Sequence, residues 1–167
     1  EWRYMPARIR EHHKRVLRGE ACYAAFNAGF DRAVWNECTF DFPRLQPEHM
    51  IDVMAQATAS NLAPSLEGAS RNIGREGKQK DGKHLIGLFC LPGATATPQS
   101  HPTEWARFVN YGLGDGVEMR EVFKSTLPLS ADEWEYYFVS ERINERGMAI
   151  DIEFARRAAA VAALNAK

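Results

Sequence analysis

Two short segments of this sequence set a carboxylate beside a side chain that could assist it. The first is Asn27-Ala28-Gly29-Phe30-Asp31. An apolar run ends there, a small turn with Gly29 follows, and the spacing predicts a helix opening at Asp31. The carboxylate would then stand at a strand edge, where ligands are commonly bound in α/β proteins, and Asn27 could hydrogen-bond backbone or a nucleotide. The second segment is Tyr111-Gly112-Leu113-Gly114-Asp115. Tyr and Asp four apart on a helix fall on one side, and a Tyr hydroxyl beside a metal-bound carboxylate can orient an attacking water. Each segment read alone has a plainer account. Asp31 would cap a helix, and Tyr111 would be a core aromatic next to a helix-capping Asp115. A phosphate cradle at Gly112–Gly116 is disfavoured, because no Lys-Ser/Thr follows and no strand precedes it.

Residues 5–19 read as a helix, with Ile9, Val16 and Leu17 as its apolar stripe and Arg8, Arg10, Lys14, Arg15 and Arg18 around it. Residues 21–27 read as a short buried strand. A helix from Asp31 to Cys38 should turn Val34 and Trp35 inward, and Phe40-Asp41-Phe42-Pro43 reads as a turn. Ile51 to Met54 reads as a second buried strand running into a helix, and another helix starts near Pro64-Ser65-Leu66-Glu67. Residues 71–83 are a polar loop carrying Arg71, Arg75, Lys78, Lys80 and Lys83. It is either a solvated surface or a surface that faces phosphates. Pro92 to Pro102 is a linker. Thr103 is expected to cap a helix that begins at Glu104 and is interrupted by Gly112, Gly114 and Gly116. Ser130 should cap a helix through Trp134, Tyr137, Phe138 and Ile143, and residues 152–167 form an Ala-rich helix.

The chain has 167 residues, 45% hydrophobic and 26% charged, which suits an ordinary core in one domain, or in a small domain plus a linker element. A net charge of −1 predicts no global attraction to nucleic acid, so any such surface is local. Cys22, Cys38 and Cys90 form an odd, scattered set with no Cys-x-x-Cys pair, which suggests neither a disulfide scaffold nor a zinc site and fits a reducing cytoplasm. No apolar run approaches the ~20 residues of a membrane span. The start Glu1-Trp2-Arg3-Tyr4 shows no signal-peptide pattern and no initiator methionine, as expected of a fragment.

In their order, the two chemical segments resemble the second and third motifs of DEDD-family 3′–5′ exonucleases in the Tyr-bearing branch. The surroundings are similar to phage-type family A DNA polymerases over roughly residues 20–167. The stretches that carry this are Ile51–Ala57, Ser65-Leu66-Glu67, Lys80–Ile86, Phe89-Cys90-Leu91-Pro92 and Glu104–Val109. The opening of a polymerase domain is resembled by Leu127-Pro128-Leu129-Ser130, Ile143–Gly147 and Ile150-Asp151. This chain departs from the pattern in carrying Phe26 where the family usually has His, and glycines around Asp115. The family's first motif, Asp-x-Glu, has no counterpart before Asn27. Asp151-Ile152-Glu153 has that spacing but lies inside the polymerase-like stretch, where it reads as helix N-terminal carboxylates.

The resemblance implies an α/β, ribonuclease H-like exonuclease domain with its N-terminal strands missing, and so mostly helical as present. Residues 1–126 would be the partial exonuclease domain and 127–167 the helical entrance to the polymerase domain. It implies Mg²⁺ or Mn²⁺ in a two-metal site, with the ions about 4 Å apart. Asp31 and Asp115 would be two of four carboxylates, Tyr111 the water-orienting residue, and Asn27 and Phe30 substrate contacts. Lys78, Lys80 and Lys83 are phosphate candidates on charge alone. The implied partner is the single-stranded 3′ end of DNA in the cytoplasm, with no membrane and a phage or prophage origin. The missing strands, or a second copy of the chain, would complete the site. A chain lacking two of the four carboxylates is expected to be inactive alone. The reading from a different class is a catalytically dead DNA-binding or assembly module.

Overall fold

A computed structural model describes residues 5–38, 42–75 and 82–165. Helix dominates. The described helices are α1 (Ala7–Leu17), α2 (Ala28–Cys38), α3 (Val53–Ala59), α4 (Leu66–Asn72), α5 (Gly82–Cys90), α6 (Pro102–Ser125), α7 (Ala131–Arg146) and α8 (Ile152–Asn165). Two three-residue strands, β1 (Tyr23–Ala25) and β2 (Met50–Asp52), pair in parallel, with Tyr23 opposite Met50 and Ala25 opposite Asp52. Parallel neighbours need a crossover, and α2 lies within it. A 3-10 turn at Pro47–His49 feeds β2.

Two apolar clusters hold this unit. Val16, Ala28, Leu45 and Met50 form one, with Tyr23, Ala25 and Trp35 packed against it. Val53, Ala57, Ala69 and Val122 form the other, joined by Phe26, Leu62, Leu66, Met119 and Phe123. The second cluster therefore ties α6 to α3 and α4. A train of aromatic contacts joins α5 to α6. Phe89 stacks on Phe108 at 5.4 Å, and Phe108 on Tyr111 at 6.4 Å.

Several expectations shift. Helix α2 opens at Ala28 rather than at Asp31, because a carboxylate distant in sequence meets its first amides, as described below. Val34 points outward at 43% exposure, whereas Trp35 is half-buried, stacked on His13 at 5.1 Å and donating its indole N–H to the Pro43 carbonyl at 3.0 Å. Helix α6 begins at Pro102, a ring pre-set for the first helical turn, so Thr103 lies inside it with His101 at the cap position. It then runs unbroken through Gly112, Gly114 and Gly116. Each glycine costs about 1 kcal/mol against alanine there, and packing against α3, α4 and α5 offsets that. Helix α4 extends to Asn72 and α5 starts at Gly82, which trims the loop read at 71–83. The turn read at 40–43 lies partly outside the described residues. Ser130 caps α7 as expected, accepting from the Glu133 amide at 3.3 Å while the Glu133 carboxylate accepts from the Ser130 amide at 2.7 Å. The two strands are shorter than the runs that suggested them. No described helix is long and apolar enough to cross a membrane.

Candidate functional site

The turn between β1 and α2 is built around Asn27. Its φ of 69° is left-handed, a conformation that Asn tolerates better than most residues. The turn is held from below by Asp52, the last residue of β2, which is 3% exposed. One Asp52 oxygen, Oδ1, accepts from the backbone N–H of Asn27 at 3.2 Å, Met54 at 2.8 Å and Ala55 at 3.3 Å. The other, Oδ2, accepts from the Ala28 N–H at 3.1 Å and from the Tyr137 hydroxyl at 2.8 Å. A carboxylate offers about four lone-pair sites, so Asp52 is saturated. It caps α3 and, from across the sheet, the start of α2. Burial first, and then donation to Asp52, push the Tyr137 hydroxyl far above its ordinary range, so it stays protonated and keeps donating.

Asp31 sits in the first turn of α2, at the surface. Asp52 has taken the capping role that a plain reading gave to Asp31. Loss of hydration, and secondarily the charge of Asp52, raise the Asp31 carboxyl above its usual value. Phe30 beside it is 64% exposed. Arg32, one residue on, is 3% exposed, and its guanidinium pairs with Glu141 at 2.7 Å and with Glu145. Both glutamates come from α7. Gly29 makes room for Glu141, because a Cβ there would lie 2.6 Å from its Oε2.

Tyr111 and Asp115 lie one turn apart on α6, as the spacing implied. Tyr111 is 5% exposed. The first residue of α5, Gly82, lies over its ring so closely that a Cβ would strike the ring edge and the hydroxyl. Asp115 is half-buried in the middle of α6, away from either end of that helix. Lys83 is exposed on α5, and Lys78 and Lys80 lie outside the described residues. Asp151 caps α8 by accepting from the Phe154 amide at 2.9 Å, and Glu153 pairs with Arg157 at 2.8 Å.

The structure thus gathers Asn27, Phe30 and Asp31 at one turn and Tyr111 with Asp115 on a separate helix. Among the described residues, no group of three or more His, Cys, Asp or Glu side chains is placed to hold a metal ion. The residues present therefore do not make a complete two-metal site, and Asp52, the carboxylate whose charge acts on Asp31, is consumed by its five donors. The sequence reading missed Asp52, Arg32, Tyr137, Glu141 and Glu145 as a connected set. An Asp just before an apolar helical run is a helix-cap signal, and that half of the role of Asp52 could have been found. Its partners 24, 25 and 85 residues away carry no local signal.

Comparison with known proteins relates this chain to the DNA polymerases. It is similar to the DNA polymerase of Bacillus phage SP02, with 27% identity over 150 residues, covering 81% of this chain and 22% of that protein. The chain spans about a fifth of the length of that relative. No family profile matches the chain, and no solved structure does.

Proposed function

We propose that this chain is part of a DNA-directed DNA polymerase, with residues 1–126 from a ribonuclease H-like proofreading 3′–5′ exonuclease domain and 127–167 from the helical entrance to the polymerase domain. The likeness to a phage polymerase over most of the chain supports the general reading. The observation supporting the finer one is that Asp52, not Asp31, caps the start of α2, which leaves the Asp31 carboxylate at the surface, while Asp115 lies within α6 one turn from Tyr111. In this reading the two are metal ligands for Mg²⁺ or Mn²⁺, ions that favour hard oxygen donors. Asn27 and the exposed Phe30 ring meet the DNA 3′ end, since an uncovered aromatic suits base stacking. Lys83, with Lys78 and Lys80, meets phosphates. Tyr111 sets the Asp115 turn against α5.

The other two carboxylates of the family pattern occupy no matching position in these residues, so no hydrolytic step is assigned to this chain alone. N-terminal strands of a longer protein, or a second copy, would supply them. The absence of a three-ligand cluster among the described residues favours one alternative, a DNA-binding or assembly module without hydrolysis.

Degradation of a 3′-labelled single-stranded oligonucleotide with Mn²⁺, beside Asp31→Ala, tests the reading. The chain alone is expected to be inactive, and adding a peptide that carries the missing strands should restore cleavage that depends on Asp31. Robust Asp31-dependent cleavage by the chain alone would mean that the site is complete. DNA binding indifferent to Mg²⁺ and Mn²⁺, with no cleavage even after the peptide is added, would favour the binding module.

A further inference from the structure

Helix α7 is joined to the rest of the molecule in an unusual way. None of its residues is fully buried, and Trp134, Tyr137 and Phe138 are only half-buried. Its tethers are polar and lie along one side of the helix. Tyr137 donates to Asp52, Glu141 and Glu145 pair with Arg32, and Arg142 pairs with Glu48. Residues 137, 141 and 145 recur at steps of four, which places them on one helical face. Asp52 in turn holds the amides of Asn27 and Ala28, and Arg32 follows Asp31 directly, so these tethers end beside the turn that presents Asn27 and Asp31.

We propose that α7 is a releasable arm, held shut by a polar latch, and that Asp52 passes the state of the latch to the Asn27–Asp31 turn. This does not depend on the function assigned to that turn. The coupling resides in a shared atom. Oδ2 of Asp52 accepts from both the Tyr137 hydroxyl and the Ala28 amide, so departure of α7 admits water at the oxygen that fixes the start of α2. The contact at Gly29 acts in the same direction. Glu141 lies against the first turn of α2 where a side chain would otherwise be, and its withdrawal uncovers that turn. Asn27 responds because its left-handed backbone persists only while its surroundings hold it. With α7 docked, the turn is rigid. With α7 released, Asn27 relaxes and Asp31 loses its fixed position.

Residue-resolved amide hydrogen exchange on the full 167-residue chain tests this with Tyr137→Phe, Glu141→Gln and Glu145→Gln combined. The expected result is at least tenfold faster exchange along α7 and, together with it, at the Asn27 and Ala28 amides, while Ala69 and Val122 keep their protection. Unchanged protection on α7 would overturn the latch. Release of α7 with Asn27 and Ala28 unchanged would overturn the coupling. If Ala69 and Val122 also lose protection, Gly29→Ala decides by the same criteria. It displaces Glu141 sterically without removing any latch donor or acceptor group, and favours the helix it sits in.

Discussion

Helices α6 and α7 follow one another in the chain and are attached by opposite means. Helix α6 contributes the fully buried Val122 to a cluster with Val53, Ala57 and Ala69, and adds a buried hydrogen bond at its end, where Gln56 donates to the Thr126 hydroxyl at 2.7 Å. Helix α7 contributes no fully buried residue and is tied by a carboxylate, a phenol and a guanidinium. Apolar burial is non-directional and tolerates small movements. A buried ion pair is not tolerant, because removing one partner strands the other charge. The difference teaches that the first helix is part of the core and the second is an attachment with a defined seat.

The sharpest way to break this contrast is Arg32→Ala. It should cost about 2–3 kcal/mol of α7 docking, the range for lost hydrogen bonds to charged groups, seen as loss of hydrogen-exchange protection on α7, with protection at Ala69 largely kept. Val122→Ala is the counterpart in the apolar junction. It should cost about 2 kcal/mol of global stability by urea unfolding, without singling out α7. An α7-selective loss in that variant would show that the two junctions are not distinct.

Acidification probes a third place, the α1–β1 cluster. His13 is fully buried, with its Nδ1 3.0 Å from the Tyr23 hydroxyl. Burial, then the nearby His49, lower its pKa, against a carbonyl of Pro43 that raises it. A lowered base binds fewer protons folded than unfolded. Its stabilising contribution is therefore present above the ordinary imidazole value of about 6.5 and is lost as pH falls through that value toward the folded one. Burial lowers His49 as well, with the same sign. Urea midpoints at pH 7.5 and 5.5 should differ accordingly, and His13→Gln should flatten the difference.

Smaller effects sharpen the picture. Ser130→Ala should cost about 1 kcal/mol and fray α7 alone, readable by exchange at its first turn. Gly112→Ala and Gly116→Ala should each stabilise the chain by about 0.5–1 kcal/mol. A Cβ at either position meets nothing within 4 Å. If either variant raises the melting temperature but weakens DNA binding, those glycines serve close approach of a ligand rather than the fold.

The sequence showed helices where the apolar spacing was regular and the cap was local. Ser130 as the cap of α7, and the start of α4 near Pro64-Ser65-Leu66-Glu67, were legible for that reason. The start of α2 was not, since its cap is Asp52, brought in by the pairing of β1 with β2. The continuity of α6 was also hidden, because helix propensity counts each glycine as a break while tertiary packing outweighs that cost. For the candidate site, the Tyr111–Asp115 spacing put both residues on one side of a helix, although the glycines between them read as an interruption of it. Nothing local could show that Asp31 would be freed from capping, or that Arg32 beside it would be buried under α7.

The reach of the latch along the chain sets an order of events. Strand pairing joins residues 27 apart, whereas Arg32 must wait for Glu141 and Glu145, 109 and 113 residues onward. Contacts that close long loops carry the larger entropic cost and tend to form late. During synthesis the β1–α2–β2 unit is complete well before α7 exists. Arg32 therefore passes an interval as a cation at the edge of a finished unit, until α7 arrives to pair it.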